Sequence, residues 1–214
     1  VLLPGAAVTG VLAALAVVCS AGWSRIGRLF LLIHAAVYLV AASVVSGAVG
    51  YDMREVVAGA GPPWPLPSAA MLVVLAAACA AAWLAAREPA GDGSTWARVP
   101  RFAIVLVLVL SAGGTVIGYL APAIGRQPDG SIDTGLLATI RTGVLAIAAL
   151  VVAWIGRHAG FREWSWLVYP LLVGIGFKMA VQDFMHSRPV TLFVALALYG
   201  AALIVAPRMR RRQA

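Results

Sequence analysis

Acidic residues are scarce in this sequence, with eight Asp and Glu against sixteen Lys and Arg, and only 11% of the 214 residues carry charge. With 62% hydrophobic residues and a mean hydropathy of +0.95, the chain holds more apolar surface than a soluble domain of its length could hide. Lipid is therefore the expected solvent for much of it. Recognisable catalytic signatures are also missing: no GxSxG, HExxH, Walker loop, DxD or paired carboxylates occur in a suitable context. The loops between apolar runs are too short for a soluble catalytic domain, so the reading leans away from an enzyme. Cysteine is limited to Cys19 and Cys79, both inside apolar runs and without metal-ligand spacing, which excludes zinc and CxxC chemistry. They read as buried thiols acting as small hydrophobes, and leave the redox compartment undefined.

Lysine occurs once, at Lys178, beside fifteen arginines. Together with the abundance of Ala, Val and Gly, this is the bias of a GC-rich bacterial genome. A retinal-type Schiff base would want its lysine mid-membrane on the last helix, whereas Lys178 lies near the edge of the sixth apolar segment. The chain opens on Val1 rather than Met, which leaves room for residues upstream.

Seven segments supply the roughly 20 apolar residues that a membrane span needs, at 2–22, 29–50, 66–86, 102–122, 135–156, 164–182 and 190–207. The first is the least secure, and without it six would remain. Gly and Pro fill the breaks between segments, as in GWSRIGR and GRQPDGSID. The expected fold is all-α: one polytopic bundle of transmembrane helices over 1–214, with no separate domain.

Alternate loops divide the charge unevenly. Arg25, Arg28, Arg87, Arg98, Arg101, Arg157, Arg162, Arg208, Arg210, Arg211 and Arg212 share one side with only Glu88, Asp92 and Glu163, eleven against three, or +8. On the other side Arg54, Arg126, Arg141, Lys178 and Arg188 balance Asp52, Glu55, Asp129, Asp133 and Asp183, five against five. The positive-inside rule makes the basic side cytoplasmic, so seven spans put the N-terminus outside and the C-terminus inside, in a bacterial inner membrane. The terminal RMRRR has no interleaved aromatics and abuts a span, so it reads as an anchor to anionic headgroups and not as a nucleic-acid site. Trp23, Trp83, Trp154, Trp164 and Trp166 are expected at the inner boundary, with Tyr51 and Tyr119 at the outer one.

A faint internal echo pairs RIGR with RVPR, GAVGY with TVIGY, and AAAWLAAR with VVAWIGR, at offsets near 70 residues. It suggests a duplicated hairpin, 25–87 and 98–157, in parallel orientation. Small residues at four-residue spacing, Gly114 with Gly118, Ala78 with Ala82 and Ser43 with Gly47, are expected to allow close helix crossings.

Ionisable groups within spans are costly and so are default site candidates. His34 reads as a packed histidine bonded to a neighbouring helix, with b-haem ligation as the alternative. His158 and His186 sit at the wrong depth to be its axial partner. Arg141 must snorkel or find an anion, Asp133 and Asp129 being nearest in sequence. Lys178 shares a stripe with Trp166, Pro170, Gly174 and Gln182, and reads as snorkelling or paired with an acid. Lys178, Arg141, Asp183, His186, Arg188 and Asp133 together form a candidate ligand-binding rim on the outer side, either a structural network or a site for an anion, quinone or lipid headgroup. Three functions stay open: a non-catalytic subunit or scaffold binding other membrane proteins, a transporter or channel with an outer anion-binding mouth, and a redox subunit holding haem or quinone.

Overall fold

Two glycines in left-handed backbone conformation set the path of the first helices. Gly27 (φ 72°) stops the first and Gly47 (φ 76°) stops the second, and no other described residue has a positive φ. A residue with a Cβ would be strained at either position. In the computed structural model, residues 5–57, 66–87, 95–125 and 134–158 are described, with isolated positions at 169, 172, 173, 193, 197 and 200. The helices are α1 (Gly5–Ile26), α2 (Leu29–Val45), α3 (Ala48–Val57), α4 (Ala69–Ala85), α5 (Arg98–Gly125) and α6 (Thr134–His158), and a 3-10 turn, Thr95–Ala97, leads into α5. No strand occurs among the described residues.

The architecture is thus all-helical. α1, α5 and residues Leu136–Ile155 of α6 are long and apolar enough to cross a membrane. α2 and the start of α3 make a fourth candidate if the bent pair counts as one span, and α4 is a shorter apolar helix of 17 residues. The segment expected at 29–50 is not one continuous helix: the chain turns by 67° between α2 and α3. The two segments expected at 164–182 and 190–207 fall almost entirely outside the described residues.

The chain forms two compact units. The first comprises residues 1–52 and 67–112, and the second 53–66 and 113–214, so that α5 gives its first half to one and its second half to the other. In the first unit α1 packs against both α2 and α4. The interface is built from small side chains: Ala13 and Ala16 of α1, Ala35 and Ala36 of α2, and Ala77, Ala78, Ala81, Ala82 and Ala85 of α4. Such a ridge lets backbones approach closely, which is what holds helices together where water supplies no drive. The Ala78–Ala82 pair belongs to it, as its spacing suggests. In the second unit Ile117 and Ala121 of α5 pack with Leu137, Ile140 and Val144 of α6.

Several side chains sit differently from expectation. Trp23 is fully buried in the core of the first unit, and Tyr51 is buried as well. Trp83 and Trp154 remain more than half exposed, and Trp83 carries the Arg87 guanidinium 3.6 Å above its ring, an i, i+4 pair at the end of α4. Cys79 is exposed on α4 and not buried, while Cys19 is half-buried. The echoed segments also differ locally. GAVGY begins on the left-handed Gly47 and opens α3, whereas TVIGY lies within the unbroken α5.

Candidate intramembrane site

The site grows from the pair Ser46–Gly47. A helix ends with four carbonyls that have no intrahelical donor. At the end of α2, the Ser46 N–H donates to Ala42 O (2.9 Å) and the Gly47 N–H to Val44 O (3.1 Å). A left-handed helix cap normally adds a bond from the next N–H back to the remaining carbonyl. Here a hydroxyl stands in between: Ser46 Oγ donates to Ser43 O (3.1 Å) and accepts from the Ala48 N–H (3.2 Å). Val45 O, the last of the four carbonyls, has no backbone donor among the described residues. Ser43 bonds back to Leu39 O (2.8 Å), and Gly47 makes the break. Directly after it, the Tyr51 N–H reaches Gly47 O (2.9 Å) and α3 begins in its new direction.

One turn into α3 stands Asp52, only 5% exposed. Its carboxylate Oδ2 lies 3.4 Å from the hydroxyl of Ser111, which is itself buried. Ser111 is 13 residues from the start of α5 and 14 from its end. At ~1.5 Å per residue α5 is about 42 Å long, some 12 Å more than a hydrocarbon core of ~30 Å. If all that excess protruded at one end, Ser111 would still lie at least ~7 Å inside the apolar layer of a membrane that α5 crosses. The acid that sequence spacing assigned to an outer loop is thus placed beside the centre of a membrane-length helix. Taking a carboxylate out of water costs several kcal/mol unless partners compensate, so this position demands them.

Four other hydroxyls of the first unit are spent locally. Thr9, Ser20, Ser24 and Ser43 each donate to a carbonyl three or four residues back on their own helix. Ser111 reaches across to another element instead. Besides Ser111, Asp52 is the buried polar residue that distinguishes the middle of this unit. Near one end of the unit, Arg101 in the first turn of α5 is also buried, with its guanidinium carbon 5.6 Å from the Trp23 ring centroid.

Of the residues singled out in the sequence, two are described. Arg141 is the eighth residue of α6, 5% exposed and next to the fully buried Thr142, so its guanidinium does not snorkel to a surface. His34 is exposed on α2, and its Nδ1 hydrogen-bonds to Phe30 O (2.7 Å) of its own helix. That corrects the expectation of a packed histidine bonded to a neighbouring helix. The ring stands edge-on to Phe30 (centroids 6.0 Å apart) and tilted against Tyr38 (5.9 Å), at i−4 and i+4. With Nδ1 bearing the proton for Phe30 O, the Nε2 lone pair is the free coordinating position, so a haem there would have to sit on the exposed face of α2. Lys178, Asp183, His186, Arg188 and Asp133 lie outside the described residues. No cluster of three or more His, Cys, Asp or Glu suited to a metal ion occurs among the described residues.

Asp52 and Ser111 were not read as a site from sequence, although one signal was present. Ser-Gly pairs are recurrent causes of sharp helix kinks, and SG stands at 46–47 within the apolar segment 29–50. No protein-family model, curated protein or solved structure matches the chain.

Proposed function

We propose that this chain is a small multi-pass transporter of a bacterial inner membrane. It would have seven spans, its N-terminus outside, and its basic loops and C-terminus in the cytoplasm. The observation that carries this reading is Asp52: a buried carboxylate on the far side of a broken helix, beside the midpoint of a membrane-length one. Intramembrane acids are rare and mark ion and substrate pathways. Broken helices are where transporters place irregular backbone for coordination. The residues Lys178, Arg141, Asp183, His186, Arg188 and Asp133 would supply an anion-binding mouth on the outer side.

The test is electrical. The protein is reconstituted into liposomes and challenged on a solid-supported membrane with pools of amino acids, sugars and organic anions. A solute-evoked current in the wild type that Asp52→Asn abolishes is the expected result. Absence of any current, or currents of equal size in Asp52→Asn, would sink the transport reading.

A scaffold role is the second reading, and one observation favours it. Ile33, Val37, Val40 and Val44 form an exposed apolar stripe along α2, a surface for lipid or for a partner helix. Pull-down in gentle detergent with mass spectrometry tests it; recovery of the chain without a stoichiometric partner counts against it.

A further inference from the structure

We propose that the arginine-bearing end of the first unit binds the headgroup of an anionic phospholipid, whose acyl chain lies along the exposed apolar face of α2. The proposal is independent of the transport reading. Topology brings its parts together. α1 ends at Ile26 and α2 starts at Leu29, so Arg25 and Arg28 flank one tight turn. Gly47 marks the far end of α2, and a Cβ built on it would lie 3.9 Å from Met71 Cε in the first turn of α4. α4 thus begins where α2 stops. Both helices have 17 residues, so α4 returns the chain to the level of the α1–α2 turn, where Ala85 joins the same core cluster as Trp23 and Ala97. Arg87 follows directly. α5 opens at this end too: Arg101, in its first turn, holds its guanidinium carbon 5.6 Å from the Trp23 ring centroid, and Arg98 is the first residue of the helix.

Charge selects the sign of the occupant. Across 23–28 and 85–101 the sequence has five arginines and two acids, Glu88 and Asp92, so this end keeps +3 even with both acids fully paired. Asp52 is the only acid among the described residues of the first unit, and it lies beyond the opposite end of α2. Arg25, Arg28 and Arg87 are exposed, and Arg98 is half-buried. Clusters of this kind next to a membrane helix attract anionic headgroups. The surroundings select a lipid over a soluble anion. Trp83 is 60% exposed and Trp96 77%, and such rings favour the headgroup level of a bilayer. The Arg87 guanidinium stacks 3.6 Å over the Trp83 ring, which orders a fork of donors that suits phosphate. Phe30, Ile33 and Val37 continue from Arg28 along one exposed face of α2. A phosphate at Arg28 therefore leaves its acyl chain on apolar surface, from which a soluble phosphate gains nothing.

The experiment uses the purified full chain, delipidated in detergent. It is titrated with phosphatidylglycerol, and in parallel with phosphatidylcholine of the same chain length and with inorganic phosphate. Native mass spectrometry counts the lipid retained. The wild type should retain phosphatidylglycerol and gain about 3–6 °C in melting temperature for each tenfold rise in that lipid above its Kd. Phosphatidylcholine and inorganic phosphate should do neither. Each exposed arginine removed should weaken phosphatidylglycerol binding about fivefold, in Arg28→Gln and in Arg87→Gln alike, and the pair together about 25-fold. Arg54→Gln, exposed on α3 beyond the far end of α2, should leave it unchanged. Equal affinity for the two lipids overturns the proposal, as does a loss in Arg54→Gln that matches the loss in Arg28→Gln. Stabilisation by inorganic phosphate equal to that by phosphatidylglycerol overturns the lipid as occupant. The wild-type comparison of the three ligands decides even where a variant does not fold.

Discussion

Replacing Gly47 by alanine tests the break itself. Gly47 has φ 76°, and the nearest non-local atom to a Cβ built there is Met71 Cε at 3.9 Å, an ordinary contact. Steric crowding is therefore absent, and the cost is the left-handed backbone alone, about 1–2 kcal/mol for a residue with a Cβ. Two other glycines calibrate the measurement. Gly113 lies inside α5 with ordinary φ and open space around its notional Cβ, so Gly113→Ala should stabilise, by up to ~1 kcal/mol. Gly22 has Leu31 Cδ1 only 3.1 Å away, a flexible tip that must yield by a few tenths of an ångström. At ~2–4 °C per kcal/mol for a chain of this size, Gly47→Ala should lower the melting temperature in detergent by about 2–8 °C. A second readout is positional. Were α2 and α3 one straight helix, Asp52 would lie 23 residues beyond Leu29, or about 34 Å, past a ~30 Å hydrocarbon core. A cysteine at position 52 should thus resist a membrane-impermeant maleimide, and become reactive if Gly47→Ala straightens the helix. A neutral or stabilising Gly47→Ala, matching Gly113→Ala, would refute the break.

Three further outcomes are expected. Ser111→Ala should destabilise by about 1–3 kcal/mol, because a buried carboxylate loses a partner, while Ser20→Ala, equally buried but bonded only within its own helix, should stay within ~0.5 kcal/mol; equal effects in denaturation would contradict the cross-element role of Ser111. Trp23→Ala should cost ~3–5 kcal/mol as a core truncation, against no more than ~1 kcal/mol for the exposed Trp83, whose loss removes a cation–π contact; a chemical-denaturation series that ranks them the other way would contradict the place of Trp23 in the core. His34→Ala should leave stability within ~0.5 kcal/mol, and a Soret band in the purified wild type that vanishes in this variant would revive the haem reading.

Among the described residues, helix-forming segments were legible because apolar length and Gly/Pro breaks are local properties. GWSRIGR marked the α1–α2 turn, and Gly27 now supplies its left-handed residue, its N–H 2.9 Å from Trp23 O. What escaped was the consequence of a single torsion. Nothing in the hydropathy of 29–50 distinguishes a straight span from one turned at Gly47, yet that turn decides whether Asp52 meets water or Ser111. The same limit applies to Trp23. Its position four residues before the turn suits an interfacial tryptophan, and only the packing of α2, α4 and the start of α5 around it makes it core. His34 was expected to pack against a neighbouring helix because it lies within an apolar run, but periodicity puts it on the face opposite Leu32 and Ala36. Arg141 was placed at the correct end of its helix, though depth alone did not foretell its burial.

The Asp52–Ser111 contact also has a consequence for how the chain is made. Its two residues are 59 positions apart. At ~5–20 residues per second of synthesis, the carboxylate emerges about 3–12 s before its hydroxyl partner does. α1, whose hydroxyls are satisfied within the helix, could leave an insertion channel on its own. The α2–α3 segment gains its Ser111 contact only once the first half of α5 has followed. Biogenesis of this half of the protein should therefore proceed as a held hairpin set released together, and a pause in translation between α4 and α5 would lengthen the interval in which the acid awaits Ser111.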